Sequence, residues 1–185
     1  MSSGVEKLSD IDKLLIRLLG ANDGEPIPQR LWLQKEVFQI AKNMPELEEF
    51  LQYQPHYRGP FSEELEQKEE HLDALGYIDK ERGKLMLSDR GHELDEEIKD
   101  EMPRQYQEMI EDIKKFMNDL SKDELLTYIY YTYPEMTTES VEKSDLDKSR
   151  VEVAKKLYNK QKVSIGKASE LAGMSVSDFK GILDD

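Results

Sequence analysis

The chain has 185 residues, enough for one large domain or two small ones, with 37% apolar and 36% charged residues. It contains no cysteine, which excludes disulfides, thiolate zinc sites and cysteine nucleophiles. No apolar run approaches the ~18 residues that a membrane span needs. The opening residues, Met1 to Lys7, have no apolar signal core, so a cytoplasmic protein is expected. The net charge of −14 argues against bulk affinity for nucleic acid or anionic membranes. The charge is unevenly spread. Residues 61–100 hold 6 basic against 14 acidic side chains, whereas residues 141–185 hold 9 against 8. If any part of the chain meets DNA through charge, it is the C-terminal segment.

Ser9 and Asp10 open a helix whose apolar face is Ile11, Leu14, Leu15, Leu18 and Leu19. Gly20 to Pro28 reads as a turn. A second helix is predicted over about Arg30–Asn43, and Pro45 ends it or begins a short third helix through Leu47, Phe50 and Leu51. Tyr53 to Pro60 reads as irregular. Ser62 is an N-cap without the Glu or Gln of a full capping box, and its helix carries Leu65, Leu72 and Leu75 up to Gly76. Tyr77-Ile78 and Leu85–Leu87 are two strand candidates around a polar turn containing Gly83, and Ser88 caps the next helix. A long amphipathic helix follows from Pro103 to about Leu120, then a capping box of Ser121 and Glu124 opening a tyrosine-rich helix. Pro134 to Lys148 is polar and reads as a linker. A helix over Arg150–Lys160 precedes Ser164 to Ser175, in which Ser164 caps a short helix, Gly173 makes a tight turn and Ser175 caps the next helix, with Phe179 and Leu183 facing inward.

Helix, helix, helix and a two-stranded hairpin is the order of a winged helix. The segments Tyr57–Leu65, Leu72–Ile78 and Leu87–Leu94 resemble winged-helix regulators of the prokaryotic type. Leu33–Phe38, taken with Gly59–Ser62, is also similar to the Panacea domain of SocA-like antitoxins, over residues 10–95. Leu157-Tyr158, Ser164–Ala168 and Glu170–Ser175 resemble the small helix-turn-helix antitoxins of archaea and bacteria, over residues 151–183. These resemblances imply a mainly α protein. The expected plan is a winged-helix domain at 1–100, a helical connector at 101–133, a linker at 134–148 and a helix-turn-helix domain at 149–185.

Nothing selects a catalytic constellation. His56, His71 and His92 lie far apart, the carboxylates run along solvated helix faces, and there is no phosphate loop or nucleophile elbow. No enzyme activity, cofactor or metal is expected. The helix beginning near Ser62 would enter the major groove of a DNA-bound winged helix, yet it carries Glu63, Glu64, Glu66, Glu69, Glu70 and Asp73 against Lys68 alone. Lys80, Arg82 and Lys84 are candidate wing contacts. In the C-terminal segment, Lys155, Lys156, Lys160, Lys162 and Lys167 could anchor to phosphates, and Ser175, Ser177 and Lys180 could reach base edges. Tyr106, Met109, Ile110, Ile113, Phe116, Met117 and Leu120 form a stripe expected to pair two copies into a homodimer. The first reading is therefore a DNA-binding regulator of the antitoxin kind, with double-stranded DNA as one partner and a protein as another, for which the resemblance implies a toxin. The rival is a protein-interaction adaptor that binds no DNA, which the overall acidity favours.

Overall fold

The computed structural model describes residues 4–184. A 3-10 turn at Gly4–Lys7 precedes α1 (Asp10–Gly24), α2 (Arg30–Ala41), α3 (Pro45–Leu51), β1 (Gln54–His56), β2 (Gly59–Phe61), α4 (Glu63–Ala74), β3 (Ile78–Glu81), β4 (Lys84–Leu87), α5 (Asp89–Glu101), α6 (Arg104–Asn118), α7 (Lys122–Thr132), a 3-10 turn at Pro134–Thr137, α8 (Lys143–Asn159), α9 (Ile165–Ala172) and α10 (Val176–Leu183). The protein is mainly helical, with two small antiparallel two-stranded sheets among the described residues. No described helix is long and apolar enough to cross a membrane.

The chain forms two compact units, one of residues 1–53 and 62–118, the other of residues 54–61 and 119–185. This partition differs from the boundaries expected from sequence. Residues 101–118 belong with the first unit, and the stretch read as a linker is part of the second.

In the first unit the predicted helix starts hold. Ser9 caps α1 in a reciprocal box with Asp12, and Ser62 and Ser88 cap α4 and α5 by accepting from the amides of Leu65 and Gly91. Regular helix in α1 stops at Gly20, because Ala21 to Asp23 leave helical geometry and Asn22, Asp23 and Gly24 have positive φ. Beyond that turn, Ile27 exchanges two backbone hydrogen bonds with Leu85, which extends the β3–β4 hairpin by a single bridge. The hairpin turns on Arg82 and Gly83, with Glu81 paired to Lys84, so its loop is two residues long. The core gathers Leu15, Leu18 and Leu19 of α1 with Val37, Phe38, Leu65, Leu72, Leu85 and Ile98, all buried.

Charged side chains are also buried here. Arg17 of α1 meets Asp95 of α5 at 2.8 Å, with both side chains under 5% exposed. The approach depends on Gly20, since a Cβ there would lie 2.0 Å from Asp95 Oδ2. Lys114 of α6 is fully buried and donates to the carbonyls of Leu19 (2.9 Å) and Ala21 (2.8 Å), where α1 unwinds. A cation at that point also suits the negative end of the α1 dipole. Burial lowers the Lys114 ammonium to about 8, against the opposing pull of Glu36 and Glu25. Burial likewise pushes the Glu36 carboxyl well above its ordinary range, although Lys114 pulls the other way.

The stripe expected to form a dimer seam is used inside the chain. Helix α6 packs along α1 and α2, Ile110 and Met117 are buried, and Tyr106, Met109, Ile113 and Phe116 are half-buried. Leu120 is also buried, in the second unit. An amphipathic stripe records that a face is covered, and here the chain's own helices cover much of it.

In the second unit the stretch read as irregular is the β1–β2 hairpin. It turns on Tyr57 and Arg58, with His56 paired to Gly59. Gly59 has φ +82, and a Cβ on it would lie 2.7 Å from the Tyr130 ring, so this position needs glycine. The amide of Val141 donates to the Tyr57 carbonyl, and Arg58 reaches Glu142 at 3.3 Å. The expected linker is a 3-10 turn with buried Thr137, followed by the first two turns of α8. Its polarity hid the start of α8, which is anchored in this stretch by Leu146 and strapped on the outside by Lys143 and Asp147 four apart.

Two outcomes test the buried charges. Gly20→Ala drives Asp95 off Arg17 and should destabilise the protein by about 3 kcal/mol in urea denaturation, the scale of breaking a buried ion pair. Burial, opposed by Arg17, pushes the Asp95 carboxyl up to about 6. The folded state then holds this proton more tightly than the unfolded chain, whose aspartates titrate near ~4. The stability that Asp95 contributes is full below pH ~4 and falls as pH rises to ~6. Urea midpoints of wild type and Asp95→Asn at pH 4, 5, 6 and 7 should diverge across that window and run parallel above it.

Candidate nucleic-acid interface

Helices α8, α9 and α10 form a tri-helical cluster. Ser164 caps α9 through the amide of Lys167, and Gly173 ends it in a left-handed conformation with φ 75. Ser175 then caps α10 through the amide of Asp178. Ala168, Leu171, Leu157, Val153 and Phe179 fill the space between the three helices, with Phe179 edge-on to Tyr158 at 6.1 Å. This is the local arrangement expected of the sequence from Ser164 to Ser175.

One side chain missed in the sequence organises the turn. Arg150 donates from Nε to the Leu171 carbonyl (2.7 Å) and from a terminal nitrogen to the Glu170 carbonyl (3.2 Å), which satisfies the end of α9. Its guanidinium stacks 3.6 Å from the Tyr131 ring centroid. The Tyr131 hydroxyl donates to Asp147, and that bond holds the Asp147 carboxyl below its usual range. The crowd of tyrosines in α7 and the arginine opening the predicted α8 were both visible in the sequence. That they meet was not, because the residues between them carry no signal of their approach.

The expected DNA-contacting lysines divide into two groups. Lys160 pairs with Glu124 at 2.6 Å, Lys162 with Asp119 at 2.5 Å and Lys167 with Glu170 at 3.1 Å. Burial tends to raise the Glu124 carboxyl, but hydrogen bonds from Lys160 and the Ser121 amide hold it below its ordinary value. Lys155, Lys156 and Lys180 enter no ion pair among the described residues; Lys156 and Lys180 are exposed and Lys155 is half-buried. The Ser175 hydroxyl is committed to its cap, accepting from the Asp178 amide and donating to the Asp178 carboxylate at 2.8 Å. The exposed residues of α10 are Val176, Ser177, Asp178, Lys180 and Gly181, so an acid stands beside the lysine on this helix.

In the first unit, Lys80 is not a free wing residue. It pairs with Glu69 at 2.7 Å and Asp73 at 2.6 Å, both on α4. Arg82 and Lys84 are exposed at and beside the hairpin turn. The acids of α4 do not all face solvent either. Glu69 is buried between Lys80 and Arg30, which also reaches Glu66 at 2.9 Å, and Lys68 turns back to Asp12 at 3.3 Å. The exposed face of α4 is left with Glu63, Gln67, Glu70, His71 and Ala74, which is acidic on balance. No group of three or more His, Asp or Glu side chains among the described residues is placed to hold a metal ion.

Residues 127–185, roughly a third of the chain, match the model of an uncharacterised protein family, UPF0175. The match contains the segment that resembles small helix-turn-helix antitoxins and extends it upstream to Thr127 in α7, so that it includes Tyr131 and Arg150. No curated protein and no solved structure matches the chain. The family match does not reach residues 1–126, where the winged-helix and Panacea resemblances lie. The two segments that carry the Panacea resemblance do meet: the Gln34 side chain donates to the Ser62 carbonyl (2.9 Å) and accepts from the Ser62 amide (3.0 Å).

Gly173→Ala tests the turn. The substituted residue would sit at positive φ, with its Cβ 2.9 Å from the Arg150 guanidinium. A loss of about 1–3 kcal/mol is expected in thermal denaturation, with the smaller loss in an Arg150→Ala background, where the steric part is absent.

Proposed function

We propose that the chain is a DNA-binding transcriptional regulator of the antitoxin kind, in which α9 and α10 read DNA and the first unit engages a protein partner. The observation that carries this reading is the pairing of a capped, glycine-turned helix-turn-helix with a solvent-facing α10. Its exposed residues are Val176 and Ser177 in the first turn and Lys180 and Gly181 further along, with the acidic Asp178 between them held by the Ser175 hydroxyl. Lys155 and Lys156 on α8 are suited to backbone anchoring. In this reading α1, α2, α4 and the β3–β4 hairpin make a winged helix whose α4 does not read bases, because the acids left exposed on it would face phosphates. That acidic face suits a basic protein surface instead, and the antitoxin resemblance implies a toxin as the partner class. A unit this small grips few phosphates, so a homodimer on a two-fold site is expected.

A specific observation favours the adaptor reading as well. Three of the five lysines placed before and within the first helix of the pair are neutralised by carboxylates of their own unit. Fluorescence anisotropy on the DNA upstream of the chain's own gene separates the two readings. Lys155→Ala with Lys156→Ala should weaken binding to all sequences and flatten the salt dependence by about one unit of slope for each phosphate no longer neutralised. Ser177→Ala and Lys180→Ala should change which sequences are preferred. Absence of binding at low salt would leave the adaptor as the better account.

A further inference from the structure

The first unit contains a cavity of about 510 Å³ that the DNA-binding reading does not use. It opens between the start of α1, α3, the end of α5 and the start of α6. Its floor is Leu14, Ile98 and Ile110, each at most 6% exposed. Its size lies within the ~300–1,000 Å³ of pockets that enclose small organic ligands.

The rim has a definite sign. Lys13 and Glu101 face each other at 3.6 Å and offset one another. Asp10 and Glu46 also line the cavity, are exposed, and enter no ion pair among the described residues. Two aromatic side chains, half-buried Tyr106 and the 54% exposed Phe50, line the same cavity. An apolar floor, aromatic rings and two unneutralised carboxylates make a chemically selective combination. The floor takes hydrocarbon, the ring faces attract a diffuse cation, and the carboxylates add attraction at the mouth while repelling anions. The net charge of −14 works in the same direction at longer range.

We propose that this cavity binds small lipophilic organic cations, of the quaternary ammonium or phosphonium class. The reading does not depend on whether the protein binds DNA.

Tetraphenylphosphonium and tetraphenylborate have nearly the same shape and opposite charge, so the pair isolates the electrostatic claim. Isothermal titration of the full chain should show the phosphonium binding and the borate at least tenfold weaker. Asp10→Asn with Glu46→Gln should weaken the phosphonium about fivefold and narrow the gap between the two ions. Leu47→Trp, which places bulk on the cavity wall, should weaken both ions, with circular dichroism and melting temperature checking that the fold persists. Equal affinity for the two ions, no phosphonium binding, or binding untouched by both variants would overturn the proposal. So would a basic amphipathic peptide that binds this face and is not displaced by the phosphonium.

Discussion

The first unit is organised around buried charge at the place where α1 unwinds. Arg17 and Asp95 pair inside the core, and Lys114 supplies the last carbonyls of α1 with the donors that a continuing helix would have provided. Each of these interactions recruits a different element. Asp95 comes from α5, Lys114 from α6, and Glu36, which pulls on Lys114, from α2. Desolvating such groups costs several kcal/mol each, and only their mutual placement recovers it. In this packing Arg17, Asp95 and Lys114 find partners, whereas the buried Glu36 carboxyl accepts no hydrogen bond among the described residues. The packing also explains why Gly20 has no side chain and why the apolar stripe of α6 faces inward.

In the second unit a related economy governs the lysines. Basic side chains near a helix-turn-helix suggest phosphate anchoring, yet a lysine that already holds a carboxylate offers less to a phosphate. Lys160 stabilises the start of α7 through Glu124, and Lys162 and Lys167 hold acids close by. The charge left for a partner is therefore small and localised, on α8 and the exposed side of α10. Arg150 is likewise committed to the turn, where it closes α9 and stacks on Tyr131. The region matching the family model holds Arg150, Tyr131 and all three lysines, whereas Asp119 and Glu124, which pair with Lys162 and Lys160, lie just upstream of it.

The two units share the chain in an interleaved way. The chain leaves the first unit after Tyr53 and returns at Ser62, and both of these residues hydrogen-bond Gln34, Tyr53 through its hydroxyl to the backbone carbonyl and Ser62 to the side chain. Between them lies the β1–β2 hairpin, which contributes Gly59 and Arg58 to the packing around Tyr130 and Glu142. A short stretch rich in proline and glycine has too few apolar positions to declare a strand pair. It pairs because the second unit supplies the surface it rests on.

What the sequence determined by itself was local: helix starts at Ser9, Ser62, Ser88, Ser121, Ser164 and Ser175, the hairpin around Gly83, the turn at Gly173, and the inward positions of the amphipathic faces. Each of these follows from a hydroxyl within reach of a nearby amide, a residue able to take positive φ, or a periodicity over a few turns. What only the tertiary structure decided was which partner each face and charge would meet. The α6 stripe went to its own chain, the polar stretch after Pro134 folded as helix around Leu146, Lys80 turned to α4, and Lys160 turned to Glu124. Sequence spacing carries no record of such choices, because the meeting of residues far apart in the chain is fixed by the packing of whole elements and by the cost of burying charge without a partner.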